Sequence, residues 1–193
     1  MRGFFDSRRA WPWRVILWAS VLAAPAQAHA HSAMRLFGDN SVRAHLLLNH
    51  LPIIGTILSV VALVLAFLWK SDAARRIALI LLLVSTVSAY FVFNAGEGAY
   101  EDGRRLADDA GWNMIDVHMD RAEKGIYVFY LDAAVTVAAL YGETRRRRWA
   151  TAASIAAGII GLAAFAGSVW IADAGGKIRH SELRAEGPKT NAE

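Results

Sequence analysis

The side chains of this chain that are best suited to redox or metal chemistry are imidazoles. The sequence has six of them: His29, His31, His45, His50, His118 and His180. Imidazole nitrogen binds copper, iron and zinc, and it is a common axial ligand of haem iron. The chain has no cysteine, which excludes disulfides, zinc–thiolate sites, iron–sulfur clusters and covalently attached c-type haem. Metal or non-covalent haem binding through histidine is the chemistry that remains.

Two of the histidines, His45 and His50, stand at the start of the first long apolar segment. Five residues correspond to about 140° around a straight helix, so the two rings are not expected to chelate one ion side by side. Pro52 removes a backbone donor and can kink the helix, which would change that angle. His50 is the stronger candidate because it lies just inside the predicted membrane segment. The alternative is an interfacial histidine bonded to Asn49 or to water.

Carboxylates accompany the histidines at the predicted membrane boundary. Those that follow the second apolar segment or precede the third are Glu97, Glu101, Asp116, Asp120 and Glu123. Ionisable groups at the mouth of a small membrane bundle suggest a functional site, because they are expensive to place there.

One further carboxylate, Asp132, falls inside the third apolar segment. It follows His118 by fourteen residues, close to four helical turns, so both occupy one helix face that can point into a bundle. Asp132 is expected about 10 Å inside the membrane, where a carboxylate must be hydrogen-bonded or protonated. We predict that it belongs to a proton or polar network. The alternative is a structural hydrogen bond to a neighbouring helix.

The elements that must position these groups are apolar helices. The chain is 55% hydrophobic with a mean hydropathy of +0.30, which indicates a bilayer protein. The segments long enough to cross a membrane cover residues 45–69, 77–94, 125–142 and 150–174. The predicted fold is all-α, a four-helix transmembrane bundle in which the short connections make consecutive helices antiparallel neighbours. Small residues at Ala153, Ala157 and Gly161 predict close packing of the fourth helix.

The distribution of charge predicts the orientation of the bundle. The connections 70–76 and 143–148 are short and basic, which places them in the cytoplasm by the positive-inside rule. The connection 95–124 carries eight acids and four bases, and it is predicted to lie outside together with the C-terminal tail. The predicted location is the bacterial inner membrane, with several spans and with periplasmic termini in the mature chain.

The predicted domain organisation follows from these segments. Residues 1–28 have the basic start, apolar run and small residues of a secretory signal peptide, cleaved after Ala28 or Ala30 or else retained as an anchor. Residues 29–44 form a periplasmic N-terminal segment. Residues 45–174 form the bundle, including the periplasmic loop 95–124, and residues 175–193 form a periplasmic tail. Gly175 and Gly176 are expected to end the fourth helix, so that the tail either folds back over the outer mouth or frays.

Four sequence strings occur in an order that resembles a known type of protein. They are H-L-L-L-N-H-L-P-I-I-G at 45–55, G-E-G-A-Y-E at 96–101, His118, and G-G-K-I-R-H-S-E at 175–182. Together they resemble an uncharacterised family of bacterial four-helix inner-membrane proteins. Members carry H-x4-H-x-P at helix one, G-E after helix two, a His before helix three and G-G-x-I-R-H at the end. The resemblance covers residues 45–182.

This resemblance implies functional roles and a biological context. The positions it marks are His45, His50, Glu97, His118 and His180. Related proteins joined to cytochrome c domains imply a respiratory or haem context. The chain departs from the pattern at Met119, where the family has Glu directly after the helix-three histidine, and Asp120 or Glu123 could substitute for it.

Three functions fit these observations. The first is a haem b or redox-metal site near the periplasmic face, used for electron transfer, with His50 and His118 as axial ligands and His45 and His180 as the second choice. The second is a protein that handles non-haem copper, iron or zinc. Its ligands would be His45, His50, Glu97, Glu101, His118 and His180. The third is a cofactor-free accessory subunit of a membrane complex.

The sequence also limits the activity and the partners. No catalytic nucleophile and base are recognisable, so electron transfer or metal binding is favoured over a stand-alone enzyme. The predicted partners are the lipid bilayer and a periplasmic cytochrome or respiratory complex. The basic clusters are assigned to membrane topology and not to nucleic-acid binding. The oligomeric state is left open.

Overall fold

The computed structural model of the chain describes residues 41–184, and these form four long helices. The helices are α1 (Ser41–Leu68), α2 (Asp72–Leu106), α3 (Asp109–Thr144) and α4 (Ala150–Arg179). A π-helical turn, Leu51–Gly55, interrupts α1 at Pro52, and a 3-10 turn, Ser181–Leu183, follows α4. All four helices are long and apolar enough to cross a membrane. The described part of the chain is therefore an all-α, multi-pass bundle, as predicted.

The helices are arranged so that consecutive helices are neighbours and alternate helices are diagonal. Helix α1 packs against α2 and α4, and α3 packs against the same two helices. Short connections impose this antiparallel order. Helices α1 and α3 therefore face each other across the bundle axis.

The two short connections, α1 to α2 and α3 to α4, use the same turn. Lys70 has a φ of 52° and Arg146 a φ of 49°, both in the left-handed region. In each turn the N–H of the next residue donates to a carbonyl five residues earlier, at 3.0 and 2.9 Å. This is the Schellman motif that ends many helices. The two helical hairpins are thus built alike.

The interior of the bundle is filled by small and hydroxylated side chains, and its outer surface is apolar. Ala157 has no exposed surface, and a Cβ atom placed on Gly161 would lie 3.1 Å from Val60 Cγ2. The predicted close packing of the fourth helix is confirmed at these positions. Leu58 and Ile159, 62% and 65% exposed, face outwards. Large exposed aliphatic side chains on every helix match a hydrocarbon environment.

The helix ends differ from the sequence-based expectation. Residues 95–124 were expected as a loop, yet only Ala107 and Asp108 separate α2 from α3. Gly96 does not end α2, and Gly175 does not end α4. A glycine within a helix costs only about 0.5–1 kcal/mol relative to alanine, which neighbouring packing can offset. The predicted signal peptide, the segment 29–40 and the tail beyond residue 184 lie outside the described residues.

Candidate functional site

Two imidazoles meet near one end of the bundle, which we call the cavity end; it holds the start of α1 and the α2–α3 connection. His45 on α1 and His118 on α3 have ring centres 6.0 Å apart, with their planes at 90°. The two histidines come from diagonal helices, so they approach each other across the bundle axis. Two imidazoles on opposite sides of one metal ion, each about 2.0–2.1 Å from it, have ring centres about 6 Å apart. The separation of the pair therefore suits a shared metal ion.

Each ring is fixed by a backbone carbonyl of the helix that follows it in the chain. His45 Nδ1 lies 3.0 Å from the carbonyl oxygen of Val92 on α2. His118 Nδ1 lies 2.9 Å from the carbonyl oxygen of Ile171 on α4. A carbonyl oxygen can only accept, so each Nδ1 donates its hydrogen, and in the neutral ring each Nε2 then keeps its lone pair. This hydrogen bond is the usual partner of a metal-ligating histidine, since it fixes the tautomer and the ring orientation.

Each ring also occupies space that a glycine leaves open. A Cβ atom on Gly96 would lie 3.0 Å from His45 Nδ1, and one on Gly175 would lie 3.1 Å from His118 Nδ1. These distances are shorter than ordinary contacts, so any other residue would displace the ring. The two glycines therefore serve the close approach of a histidine, which explains why they stand within helices.

The two halves of the site repeat in sequence as well as in space. Gly96 and Gly175 each follow the accepting carbonyl by four residues, in the strings N-A-G (94–96) and D-A-G (173–175). One hairpin supplies His45, and the other supplies His118 in the corresponding place. Our reading of the sequence missed this repeat, although the matching tripeptides near the ends of the second and fourth apolar segments could have revealed it.

Two cavities border the histidine pair. The larger, about 530 Å³, opens towards the α2–α3 connection. Residues that line it include Asn49, Gly103, Ile115, Met119, Arg179 and His180, in addition to the pair and its glycines. The smaller, about 100 Å³, reaches deeper into the bundle to Phe129 and Ser168. Ligand sites are typically apolar cavities of about 300–1,000 Å³ with a few polar groups. Asn49 lines both cavities, and within residues 41–184 its Oδ1 atom is buried without a hydrogen-bond partner.

The sequence-based choice of His50 as the axial partner of His118 is not supported by the geometry. His50 is exposed and lines neither cavity. His45, in contrast, lies beside His118 and lines both cavities. The expected angle between the two histidines allows only one of them to face the axis. The π-helical turn begins after His50, so the irregularity at Pro52 does not turn the His50 ring towards the bundle axis.

The predicted mixed set of histidine and carboxylate ligands is not assembled in the described part of the chain. Glu97 and Glu101 are exposed on α2 and line neither cavity. Among residues 41–184, no three His, Asp or Glu side chains are placed to hold one ion together.

The acids of α3 do not replace the glutamate that is absent at Met119. Asp116 accepts a hydrogen bond from Tyr100, at 2.5 Å, and Asp120 pairs with Lys124. Asp120 and Glu123 are exposed, whereas Met119 itself lines the larger cavity. The acids of this helix therefore lie away from the histidine pair.

The start of the C-terminal tail folds back over the cavity end. Arg184 donates two hydrogen bonds to the carboxylate of Asp108, at 2.8 and 2.9 Å. These bonds, with the backbone N–H of Gly111, hold the pKa of Asp108 below its ordinary value. His180 lies at the mouth of the larger cavity, with Nδ1 2.9 Å from Glu182 Oε1. Of the two expectations for the tail, residues 181–184 adopt the folded one.

Asp132 lies deeper in the bundle, on the inward face of α3. It has no exposed surface, and its Oδ1 atom accepts a hydrogen bond from Thr136, one turn further along α3, at 3.5 Å. Its Oδ2 atom has no partner in the described segment. The alternative of a structural hydrogen bond to another helix is not realised there.

A second polar cluster occupies the opposite end of the bundle, and our sequence reading missed it. Arg75 on α2 donates to Glu143 on α3 at 3.0 and 3.2 Å, and also to Asp72 at 2.6 Å. Ser154 on α4 donates to the same glutamate at 3.2 Å. The guanidinium also lies 5.3 Å from the ring centre of Phe67 on α1. This cluster joins all four helices.

When compared with known proteins, the chain matches no family model, no curated protein sequence and no solved structure.

Proposed function

We propose that this protein is an electron-transfer protein that holds one haem b between His45 and His118. The observation that carries the proposal is the pair itself: two imidazoles 6.0 Å apart on diagonal helices, each oriented by a carbonyl. Haem iron needs only two protein ligands, because the porphyrin supplies four nitrogens. A two-histidine site is therefore sufficient for haem.

The residues around the pair fit a flat macrocycle. Gly96, Gly103 and Gly175 are among the residues that line the larger cavity, and small residues in facing helices leave room for a ring. The haem would supply one-electron redox chemistry. The chain would supply two neutral imidazoles made more basic by the Val92 and Ile171 carbonyls, together with apolar walls that limit access of water.

The orientation proposed from the sequence gives this site a periplasmic position. The opposite end of the bundle contains both short connections, 70–76 and 143–148, which are rich in Arg and Lys. With those connections in the cytoplasm of a bacterium, the cavity end lies at the outer face of the inner membrane. A periplasmic cytochrome or a respiratory complex is then the natural electron partner.

Absorption spectra of three variants test the proposal. The protein is purified in detergent after expression with added haem, and spectra are recorded in oxidised and reduced states. His45→Ala and His118→Ala should each abolish the haem b bands, because each removes an axial ligand. His50→Ala is the matched control on α1, and it should leave the bands unchanged. Unchanged spectra in both of the first two variants would reject the pair.

The second candidate is a non-haem protein that binds copper, iron or zinc. It is favoured by one observation: His180 lines the same larger cavity as His45 and His118. Because the three side chains are not placed to hold one ion together, metal binding would require His180 to move inwards. A colourless wild-type protein that carries one of these metals, and loses it in His180→Ala, would support this candidate. A protein without haem or metal would instead favour an accessory subunit.

A further inference from the structure

A second site lies about four helical turns from the histidine pair. His118 and Asp132 are fourteen residues apart in α3, which is about 21 Å along the helix. Asp132 is wholly buried at the level where α1, α2 and α4 also pack together. A buried carboxylate that stabilised the fold would bond to another helix or to a cation. Asp132 does neither among the described residues, where its only hydrogen bond comes from Thr136.

The free oxygen of Asp132 lies where α3 meets apolar and small residues of the three other helices. A Cβ atom placed on Gly161 of α4 would lie 3.2 Å from Asp132 Oδ2, 3.1 Å from Val60 Cγ2 of α1 and 3.2 Å from Leu82 Cδ1 of α2. Val60, Leu82 and Gly161 therefore border the same space as the free oxygen, and none of them has a side chain that can form a hydrogen bond. A metal cation needs several oxygen ligands, whereas a proton needs only the carboxyl group itself. Charged carboxylates are strongly disfavoured in such a place.

We propose that Asp132 is a proton-binding site inside the membrane that exchanges its proton with the cavity end of the bundle. The bound form is the neutral carboxylic acid, with Thr136 as its hydrogen-bond partner. The bond that forms is O–H on the carboxylate, and the bond that breaks is an O–H of a hydronium ion in the water that reaches the cavities beside His118, which leaves a neutral water molecule.

The direction of exchange follows from what lies on each side of Asp132. Towards the cavity end, the smaller cavity reaches Phe129, three residues before Asp132, and Ser168 on α4. Towards the opposite end, the inward face of α3 continues to Glu143, whose two oxygens are both bonded to Arg75. Glu143 is only 8% exposed, so this ion pair occupies the interior of the bundle at that end.

Infrared spectroscopy of the protein in detergent tests the binding of the proton, and it needs no cofactor, so its result is independent of the haem proposal. At neutral pH the wild type should show the C=O band of a buried carboxylic acid, which shifts in D₂O. Asp132→Asn should remove the band, and Thr136→Val should shift it because one hydrogen bond is lost. A wild type without this band at neutral pH, or loss of the band on adding Na⁺, would overturn the proposal.

Two serine variants test the side of access. Ser168→Ala, at the smaller cavity, should slow the deuterium shift several-fold. Ser154→Ala, the matched change beside Glu143, should leave its rate unchanged. Slower exchange in Ser154→Ala alone would overturn access from the cavity end.

Discussion

The two ends of the bundle each contain a polar cluster, and the clusters differ in how completely their hydrogen bonds are made. At the opposite end, the side chains of Arg75 and Glu143 are only 14% and 5% exposed. Arg75 donates hydrogen bonds to both carboxylate oxygens of Glu143, and Ser154 donates one more to the same carboxylate. At the cavity end, His45 and His118 each use one ring nitrogen on a carbonyl. Their Nε2 atoms make no hydrogen bond within residues 41–184, and both residues line a cavity large enough for a ligand.

This difference separates a cluster that stabilises the fold from one arranged for binding. A buried polar group normally finds a partner, and an exception calls for a physical reason. The ion pair needs nothing further, so its role is to hold four helices together. The histidine pair is oriented but its Nε2 atoms have no partner among the described residues, which is compatible with the haem site that we propose.

Breaking the ion pair should give the largest effect on stability. Glu143→Ala leaves the Arg75 guanidinium buried without its main partner, which should lower the free energy of unfolding by about 3–5 kcal/mol. Thermal unfolding in detergent, followed by circular dichroism, measures the change. Asp72→Ala is the control, because Asp72 is 66% exposed and should matter little. Equal losses in both variants would contradict the structural role of the buried pair.

Filling a glycine gap should weaken binding without unfolding the bundle. Gly96→Ala and Gly175→Ala each place a methyl group about 3 Å from a histidine ring and so displace it. We expect a loss of haem affinity of about 10–100-fold, the range found when the partners of metal-ligating histidines are altered. Haem titration of the protein prepared without haem measures it.

The control for these variants is Gly167→Ala on α4. A Cβ atom there would meet nothing within 4 Å, so binding should not change. Equal affinity in all three alanine variants would show that the glycines do not make room for the rings.

The smallest effect is expected where the tail meets the α2–α3 connection. The hydrogen bonds from Arg184 lower the pKa of Asp108 below its ordinary value of 3.8. The contact therefore stabilises the folded tail fully above pH 3.8, and this stabilisation is lost as the pH falls through the lower pKa of the folded state. Tryptic cleavage after Arg184 should therefore be faster in Asp108→Asn than in the wild type at neutral pH. The N–H of Leu183 donates to the carbonyl oxygen of His180 at 3.1 Å, and its hydrogen-exchange protection factor, which corrects for the intrinsic pH dependence of exchange, should fall in acid for the wild type and be flat for the variant. The same pH response in both would exclude Asp108 as its source.

The helices could be predicted from the sequence, but their ends could not. Long apolar segments and short basic connections suffice to predict four spans and their antiparallel order. Gly175 was expected to end a helix and Gly96 fell in a predicted loop, whereas in the structure both lie within helices and leave room for the histidine rings. The use of a glycine depends on contacts with other helices, which the local sequence does not contain.

The candidate site could be predicted only in part. The sequence indicated that histidines would gather at one end of the bundle, and the structure pairs His45 with His118. To choose between His45 and His50, one must know how α1 is rotated about its own axis. The five-residue spacing of the two histidines does not determine that rotation. The cluster of Arg75 and Glu143 was missed because its members lie 68 residues apart, on helices whose facing sides were not known.

The central claim is that His45 and His118 are the two axial ligands of one haem b. Electron paramagnetic resonance of the oxidised, purified protein, combined with measurement of haem per chain, tests it most directly. We expect about one haem per chain and a low-spin signal from iron with two imidazole ligands, lost in either alanine variant. A high-spin signal in the wild type, or a chain that binds no haem when haem is supplied, would contradict it.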